Sequence, residues 1–177
     1  MGQHDRFRRQ SHKTALCGLM AALSVVILTW GSLIPFATFS CPMLAMLCLI
    51  PAVCEYGTGT ALVMYAAVAA LGLLLSPDKE IALLYVSLGW YPSIQAQVNS
   101  LPRFLGLAAK CVLFSVSMIV LYSLILYLFQ LDAVVEEFSE YSTVMIFGML
   151  LLGNVTFLLY DRVLDNFSRL YRKKRKR

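Results

Sequence analysis

Polar side chains stand out in this sequence because they interrupt long apolar runs. In the run at 81–98, Tyr91 and Gln95 are four residues apart and therefore share one face of a helix. Aromatic rings can stack on a small, neutral, partly aromatic ligand, and amides can supply its hydrogen bonds. The spacing therefore predicts a substrate-binding set. Its members are Trp90, Tyr91, Gln95, Tyr65, Asn154 and Thr38.

The same residue types have a second ordinary role in membrane helices. Trp and Tyr anchor helices at the membrane interface, and Asn and Gln join helices to one another by hydrogen bonds. Both interpretations stay open from the sequence. Pro92 favours a cavity nearby, because it cannot continue the backbone hydrogen bonding of a helix and should leave a carbonyl free near Leu88.

Motifs of catalytic sites are missing from the sequence. There is no G-x-x-x-x-G-K-[ST] and no G-x-S-x-G, and the segment Gly57-Thr58-Gly59 lacks the basic residue of a phosphate loop. The five cysteines form no C-x-x-C pair and lie mostly in apolar runs, which indicates neither a metal site nor a disulfide framework. We therefore expect no enzymatic activity, no metal and no cofactor.

The elements that would position the polar residues are membrane helices. The 177-residue chain is 59% hydrophobic and only 14% charged, whereas soluble domains are about 25% charged. The first apolar run follows a basic tail but is longer than the core of a signal peptide, and no Ala-x-Ala site follows it. We expect a retained first helix in a multi-pass protein of the bacterial cytoplasmic membrane.

Six apolar segments are predicted to cross the bilayer. They are 14–34, 42–53, 57–75, 81–98, 104–129 and 141–160. The second is short, because twelve residues give about 18 Å of helix against a hydrocarbon core of roughly 30 Å. It must extend into 39–41 and 55–56, thin the bilayer, or be shielded by other helices. A compact polar turn at 76–80 separates the third segment from the fourth.

The distribution of charge favours six crossings with both termini in the cytoplasm. Fourteen of the 15 Lys and Arg residues then face the cytoplasm and only Lys79 faces outward, whereas an odd number of crossings would separate the two basic tails. The loop at 131–140 is external and acidic. We predict an all-α, polytopic bundle, N-in and C-in, with a basic tail at 1–13, a six-helix transmembrane domain at 14–161 and a basic tail at 162–177.

The net charge of +5 and the terminal RKKRKR admit a nucleic-acid partner in principle. Beside a membrane segment, such a cluster is better explained by topology and by attraction to anionic lipid. The expected partner is therefore the lipid bilayer, and no nucleic acid is expected.

Small residues on the first helix suggest a contact face. Ala15, Gly18 and Ala22 share one side of the helix, and small side chains allow a second helix to approach closely. The sequence leaves two alternatives open, which are packing inside the bundle and docking to another subunit. A second small pair, Ala66 and Ala70, is expected to pack internally.

The layout resembles the S components of energy-coupling factor transporters, which are small membrane subunits that capture micronutrients. The resemblance rests on TALCGLMAAL after a basic tail, on the proline-bracketed loop IPFATFSCP, and on EYGTGTALVMYAAVAAL at the third segment. In that family an Ala-x-x-x-Ala motif on the first helix contacts a coupling transmembrane subunit. The matching position here is Gly18-x-x-x-Ala22.

The resemblance implies a substrate-binding subunit of an ATP-driven micronutrient importer. A small solute would be captured from outside, and partner ATPase subunits would hydrolyse ATP. The alternative is a membrane scaffold of the rod-shape morphogenesis type, which has a similar outline of six helices and binds protein partners without transporting a solute.

Overall fold

The computed structural model describes residues 3–33, 38–100, 102–124 and 143–175. These ranges contain eight α-helices and no β-strand, which confirms the all-α class. The helices are α1 Gln3–Gly31, α2 Ser40–Leu47, α3 Ile50–Tyr56, α4 Thr58–Leu75, α5 Lys79–Leu88, α6 Tyr91–Val98, α7 Arg103–Leu124 and α8 Thr143–Arg175.

Parts of the sequence-based scheme lie outside the described residues. They are the stretch 34–37 of the proline-bracketed loop, the end of the fifth apolar segment at 125–129, and the acidic loop at 131–140.

Three helices are long and apolar enough to cross a membrane. These stretches are Gln10–Gly31 in α1, Thr58–Leu75, which is the whole of α4, and Phe104–Leu121 in α7. They correspond to the first, third and fifth predicted segments, and most of their residues remain outside the protein core. Large exposed apolar side chains are what an apolar solvent would cover.

The second and fourth predicted segments are each two short helices instead of one. The second runs from Ser40 to Tyr56 and is interrupted at residues 48–49; the fourth is interrupted at residues 89–90. The second segment has gained residues at both ends, as its short apolar core required. Pro92 was expected to kink a single helix, and the helix is interrupted just before it, because α5 ends at Leu88 and α6 begins at Tyr91.

The chain divides into two compact units. The first consists of Met1–Ile94 with Asn166–Arg177, and the second of Gln95–Asp165. At the centre of the first unit lies α5, seven of whose ten residues are buried, and it packs against α2 and α4. On α4 the buried face carries Met64, Val68 and Gly72, whereas Ala66 and Ala70 are exposed. The prediction that this small pair packs internally was therefore wrong.

Close contacts in the first unit explain why α1 can pack tightly. A side chain on Gly31 would place its Cβ 2.5 Å from Cβ of Cys41, so only glycine lets the end of α1 approach the start of α2. Ser24 donates from its hydroxyl to the carbonyl of Ala45 on α2 at 3.2 Å. A hydrogen bond of 2.8 Å joins the hydroxyls of Ser32 and Ser76 between α1 and the end of α4.

The polar turn at 76–80 is built as the sequence predicts. The backbone N–H of Glu80 donates to Oδ1 of Asp78 at 3.0 Å and so caps the start of α5. Nζ of Lys79 donates to the carbonyls of Leu73 and Ser76, which satisfies acceptors at the end of α4. The turn thereby closes one helix and opens the next.

Residues from both ends of the chain lie beside the C-terminal end of α3. His12 of α1 is hydrogen-bonded to the hydroxyl of Tyr56 at 3.1 Å, and Nζ of Lys13 lies 5.7 Å from the centre of its ring. From the last part of α8, the hydroxyl of Tyr171 donates to Oε1 of Glu55 at 2.5 Å. The start of α1 and the end of α8 are thus at the same end of this unit.

Candidate functional site

The interruption between α5 and α6 holds the aromatic part of the predicted substrate set. A helix end leaves carbonyls without N–H partners, and in apolar surroundings each of them must find another donor. The hydroxyl of Tyr65 donates to the carbonyl of Val86, and Nε1 of Trp90 donates to that of Ser87 at 2.7 Å. These two side chains therefore satisfy two of the carbonyls in the last turn of α5.

An aromatic pair covers this interruption. The ring of Tyr65 lies so close to Gly89 that a Cβ there would come within 2.9 Å of its Cε2. The ring of Tyr85, one turn earlier on α5, lies 5.9 Å from the ring of Tyr65, centre to centre. Glycine at position 89 is thus a requirement of close approach, and Tyr65 belongs to the packing of the break.

Two hydroxyls flanking the interruption are buried without a hydrogen-bond partner among the described residues. They belong to Tyr85, which is 0% exposed, and to Ser93, which is 2% exposed. Most buried polar groups in proteins are paired, so an unpaired one calls for an explanation such as a bound molecule. Tyr91 is also buried, whereas Trp90 is half-buried.

The second unit holds a cluster of buried polar and charged groups. Nε2 of Gln95 donates to Oδ1 of Asp161 at 2.8 Å and to the Asp161 carbonyl at 2.9 Å. Lys110 of α7 forms an ion pair with the other carboxylate oxygen, and both charged side chains are largely buried. The amide donors of Gln95, predicted for a substrate, are directed to Asp161 instead.

The predicted site residues do not include this ion pair. The charge distribution predicts only that Lys110 faces the cytoplasm, and Asp161 is not among the candidate residues. A signal was present nonetheless, because Lys110 stands seven residues into α7 and within the apolar stretch Phe104–Leu121. An ionisable residue at such a position is rarely found without a partner.

The remaining predicted residues lie elsewhere. Asn154, on α8 in the second unit, donates from Nδ2 to the carbonyl of Leu150 at 2.9 Å and to the hydroxyl of Ser115 at 3.4 Å. Nearby, the rings of Phe114 and Phe157 pack 5.0 Å apart. Thr38 is half-buried in the turn before α2. The structure thus brings Tyr65 and Trp90 together at one break, and it gives Gln95 and Asn154 partners of their own.

The predicted docking residues Ala15, Gly18 and Ala22 are all exposed. Among the described residues, and apart from the neighbouring backbone of α1 itself, no atom lies within 4 Å of the position that a Cβ on Gly18 would occupy. The buried side of α1 carries Ser24 and Leu28 instead. The small face is therefore not used for packing within the described part of the chain.

Comparison with protein-family models, with curated proteins and with solved structures finds no match to this chain. Its possible chemistry therefore follows from its own residues. The interruption offers hydroxyls, backbone carbonyls and aromatic rings, which suit hydrogen bonding and stacking.

We expect substitutions of either partner in the ion pair of the second unit to lower the stability of the protein. Lys110→Met should leave the buried Asp161 carboxylate without the ammonium that compensates its charge, and Asp161→Asn should leave the buried ammonium without the carboxylate. Each should lower the free energy of unfolding by roughly 3–5 kcal/mol, measured by denaturant unfolding in detergent. The double variant removes both charges, keeps an acceptor for Gln95, and should recover most of the loss.

Arg162→Met is the matched control, because it removes an exposed positive charge next to the pair and should change stability by less than about 0.5 kcal/mol. Single variants at Lys110 and Asp161 that are as mild as this control would contradict a buried, coupled pair.

Proposed function

We propose that this protein is the solute-capturing membrane subunit of an ATP-driven importer of the energy-coupling factor type. A small solute is bound from the outer side, and partner subunits supply a coupling membrane domain and the ATPases. The observation that carries the proposal is the uncovered small-residue face of α1, formed by Ala15, Gly18 and Ala22.

The composition of this face favours a helix of another subunit over lipid alone. Lipid tails cover large apolar side chains as well as small ones, so a lipid-facing surface has no need of small residues. Farther along the same exposed side, α1 carries Val26 and Trp30. Small residues are thus confined to the half of the helix nearest the basic tail. A partner helix could approach the backbone closely there and gain dispersion contacts.

The proposal includes six crossings with both termini in the cytoplasm. The bias of basic residues supports it. Independent support comes from the contacts of His12 and Tyr171 with the same end of α3, since two chain ends on one side require an even number of crossings. The docking face then lies in the cytoplasmic half of the membrane, close to the side where ATPase subunits bind nucleotide.

Topology can be measured with single cysteines in a protein whose five native cysteines have been replaced. A membrane-impermeant maleimide should label Glu137→Cys in intact cells, because the acidic loop is external. It should label Lys174→Cys only after the membrane is permeabilised. Equal labelling of both positions in intact cells would contradict the six-crossing arrangement.

The docking face predicts a loss of partners without a loss of stability. Ala22→Leu or Gly18→Leu adds a bulky side chain where the structure is open, so thermal stability and solute binding should stay near those of the wild type. The added side chain should hold the partner helix away, and co-purification of the coupling subunit and uptake of the solute should be lost.

Ala66→Leu on α4 is the matched control, because it makes the same change at another exposed alanine and should leave both readouts unaltered. An Ala22→Leu protein that retains its partners would contradict docking at this face. An Ala22→Leu protein that is strongly destabilised would show that the face packs internally. Recovery of cell-wall or division proteins, with no bound solute, would support the scaffold alternative.

A further inference from the structure

The two interrupted helical segments break in the same way. In the first, α2 ends at Leu47 and α3 restarts at Ile50, directly before Pro51; in the second, α5 ends at Leu88 and α6 restarts at Tyr91, directly before Pro92. Both breaks read Leu-x-x-x-Pro in the sequence, as LCLIP and LGWYP. The first break follows the long unbroken helix α1, and the second follows α4. A long helix followed by an interrupted one therefore occurs twice.

The prolines explain the breaks. A continuous helix would pair the carbonyls of Leu47 and Leu88 with the N–H four residues later, and at those positions Pro51 and Pro92 have none to give. The two half-helices α2 and α5 pack against each other in the first unit. Broken helices in membrane transporters are tolerated where their freed backbone groups line a binding site.

The side chains of Tyr85 and Ser93 lie beside the α5–α6 break. The hydroxyls of Tyr85 and Ser93 are buried and lack a partner among the described residues, although they flank the break on either side. The ring of Tyr85 packs against Tyr65, whose ring in turn covers Gly89 at the break. Unpaired buried hydroxyls reduce the stability of the empty protein, so their presence is explained if a bound molecule pairs with them.

The surrounding residues define the chemistry of that molecule. Within the first unit, the two interrupted segments at 38–54 and 81–94 contain no Asp, Glu, Lys, Arg or His. A net charge on the molecule would therefore be desolvated without compensation. Carbonyl and hydroxyl oxygens accept hydrogen bonds, and hydroxyls also donate them, so the molecule needs N–H or O–H donors beside an acceptor. Amides, ureas and heterocycles that carry N–H next to C=O meet these conditions.

We propose that the interrupted helix α5–α6 is the solute-binding site and that it takes a small uncharged molecule of this amide or heterocycle class. The hydroxyls of Tyr85 and Ser93 are its hydrogen-bond partners. The inference rests on the proposed function of solute capture and assigns that capture to named residues.

The test uses the detergent-purified full chain and the dialysable small-molecule fraction of the producing cells as the probe. Wild type, Tyr85→Phe and Ser93→Ala are incubated with the probe and washed, and the molecules released on denaturation are quantified by mass spectrometry. Each variant removes one oxygen atom and no packing volume of importance. We expect each variant to retain less of the bound molecule than the wild type, by about tenfold or more.

A second readout separates a binding role from a structural one. Without the probe, both variants should unfold at the same temperature as the wild type or at a higher one, because an unpaired hydroxyl has been removed. Tyr171→Phe and Ser100→Ala are the matched controls, since they delete the same groups elsewhere and should keep the bound molecule.

Each outcome bears on a different part of the proposal. If the wild type binds no small molecule, both the site and the capture function are wrong. If wild type and variants bind one equally, the site is wrong and capture stands. If the bound molecule is charged, the assigned class is wrong. The class is also wrong if sodium chloride stabilises the wild type more than choline chloride does and the variants lose this difference.

Discussion

The first unit depends on one constraint, which is that proline has no N–H to donate. Its apolar surroundings offer few other hydrogen-bond donors for the carbonyls that are left unpaired. Pro51 and Pro92 cannot donate, and the second and fourth apolar segments are each interrupted in the turn before the proline. The freed ends must then be satisfied locally, and around α5 this is done by the side chains of Tyr65 and Trp90. Two aromatic side chains predicted to contact a ligand are thereby held by backbone carbonyls of α5.

The importance of polar contacts elsewhere in the protein also comes from the apolar surroundings. When the solvent is as apolar as the protein interior, apolar side chains alone give helices little reason to associate in a particular register. Hydrogen bonds such as those of Ser24 to Ala45 and of Ser32 to Ser76 then specify which helices meet. In the second unit the ion pair of Lys110 with Asp161 joins α7 to α8, and Gln95 adds α6 to the same cluster.

The sequence was most informative where a residue by itself restricts the conformation of the backbone. Pro92 predicted the end of α5, and the charges at 76–80 predicted the turn before it, because neither requirement depends on neighbouring helices. The matching break before Pro51 was not foreseen, since the segment was judged by its length alone. Its similarity to the Pro92 break became evident only when both helix ends were known.

Packing faces were much harder to predict. Hydrophobic periodicity cannot separate a core-facing side from a lipid-facing side when both are apolar, and so Ala66 and Ala70 were wrongly placed inside. For the same reason the central position of α5 was not evident. Partners of polar residues depend on contacts distant in sequence, and Gln95 therefore could not be connected with Asp161, which lies 66 residues away.

Substitution of Pro92 by alanine tests most directly whether the interrupted helix serves function. Pro92→Ala restores an N–H for the Leu88 carbonyl and favours a continuous helix. We expect a protein that inserts, unfolds at a temperature equal to or above that of the wild type, and no longer retains the bound small molecule in mass spectrometry. A Pro92→Ala protein that keeps this molecule at the wild-type level would contradict the assignment of the break as a binding site.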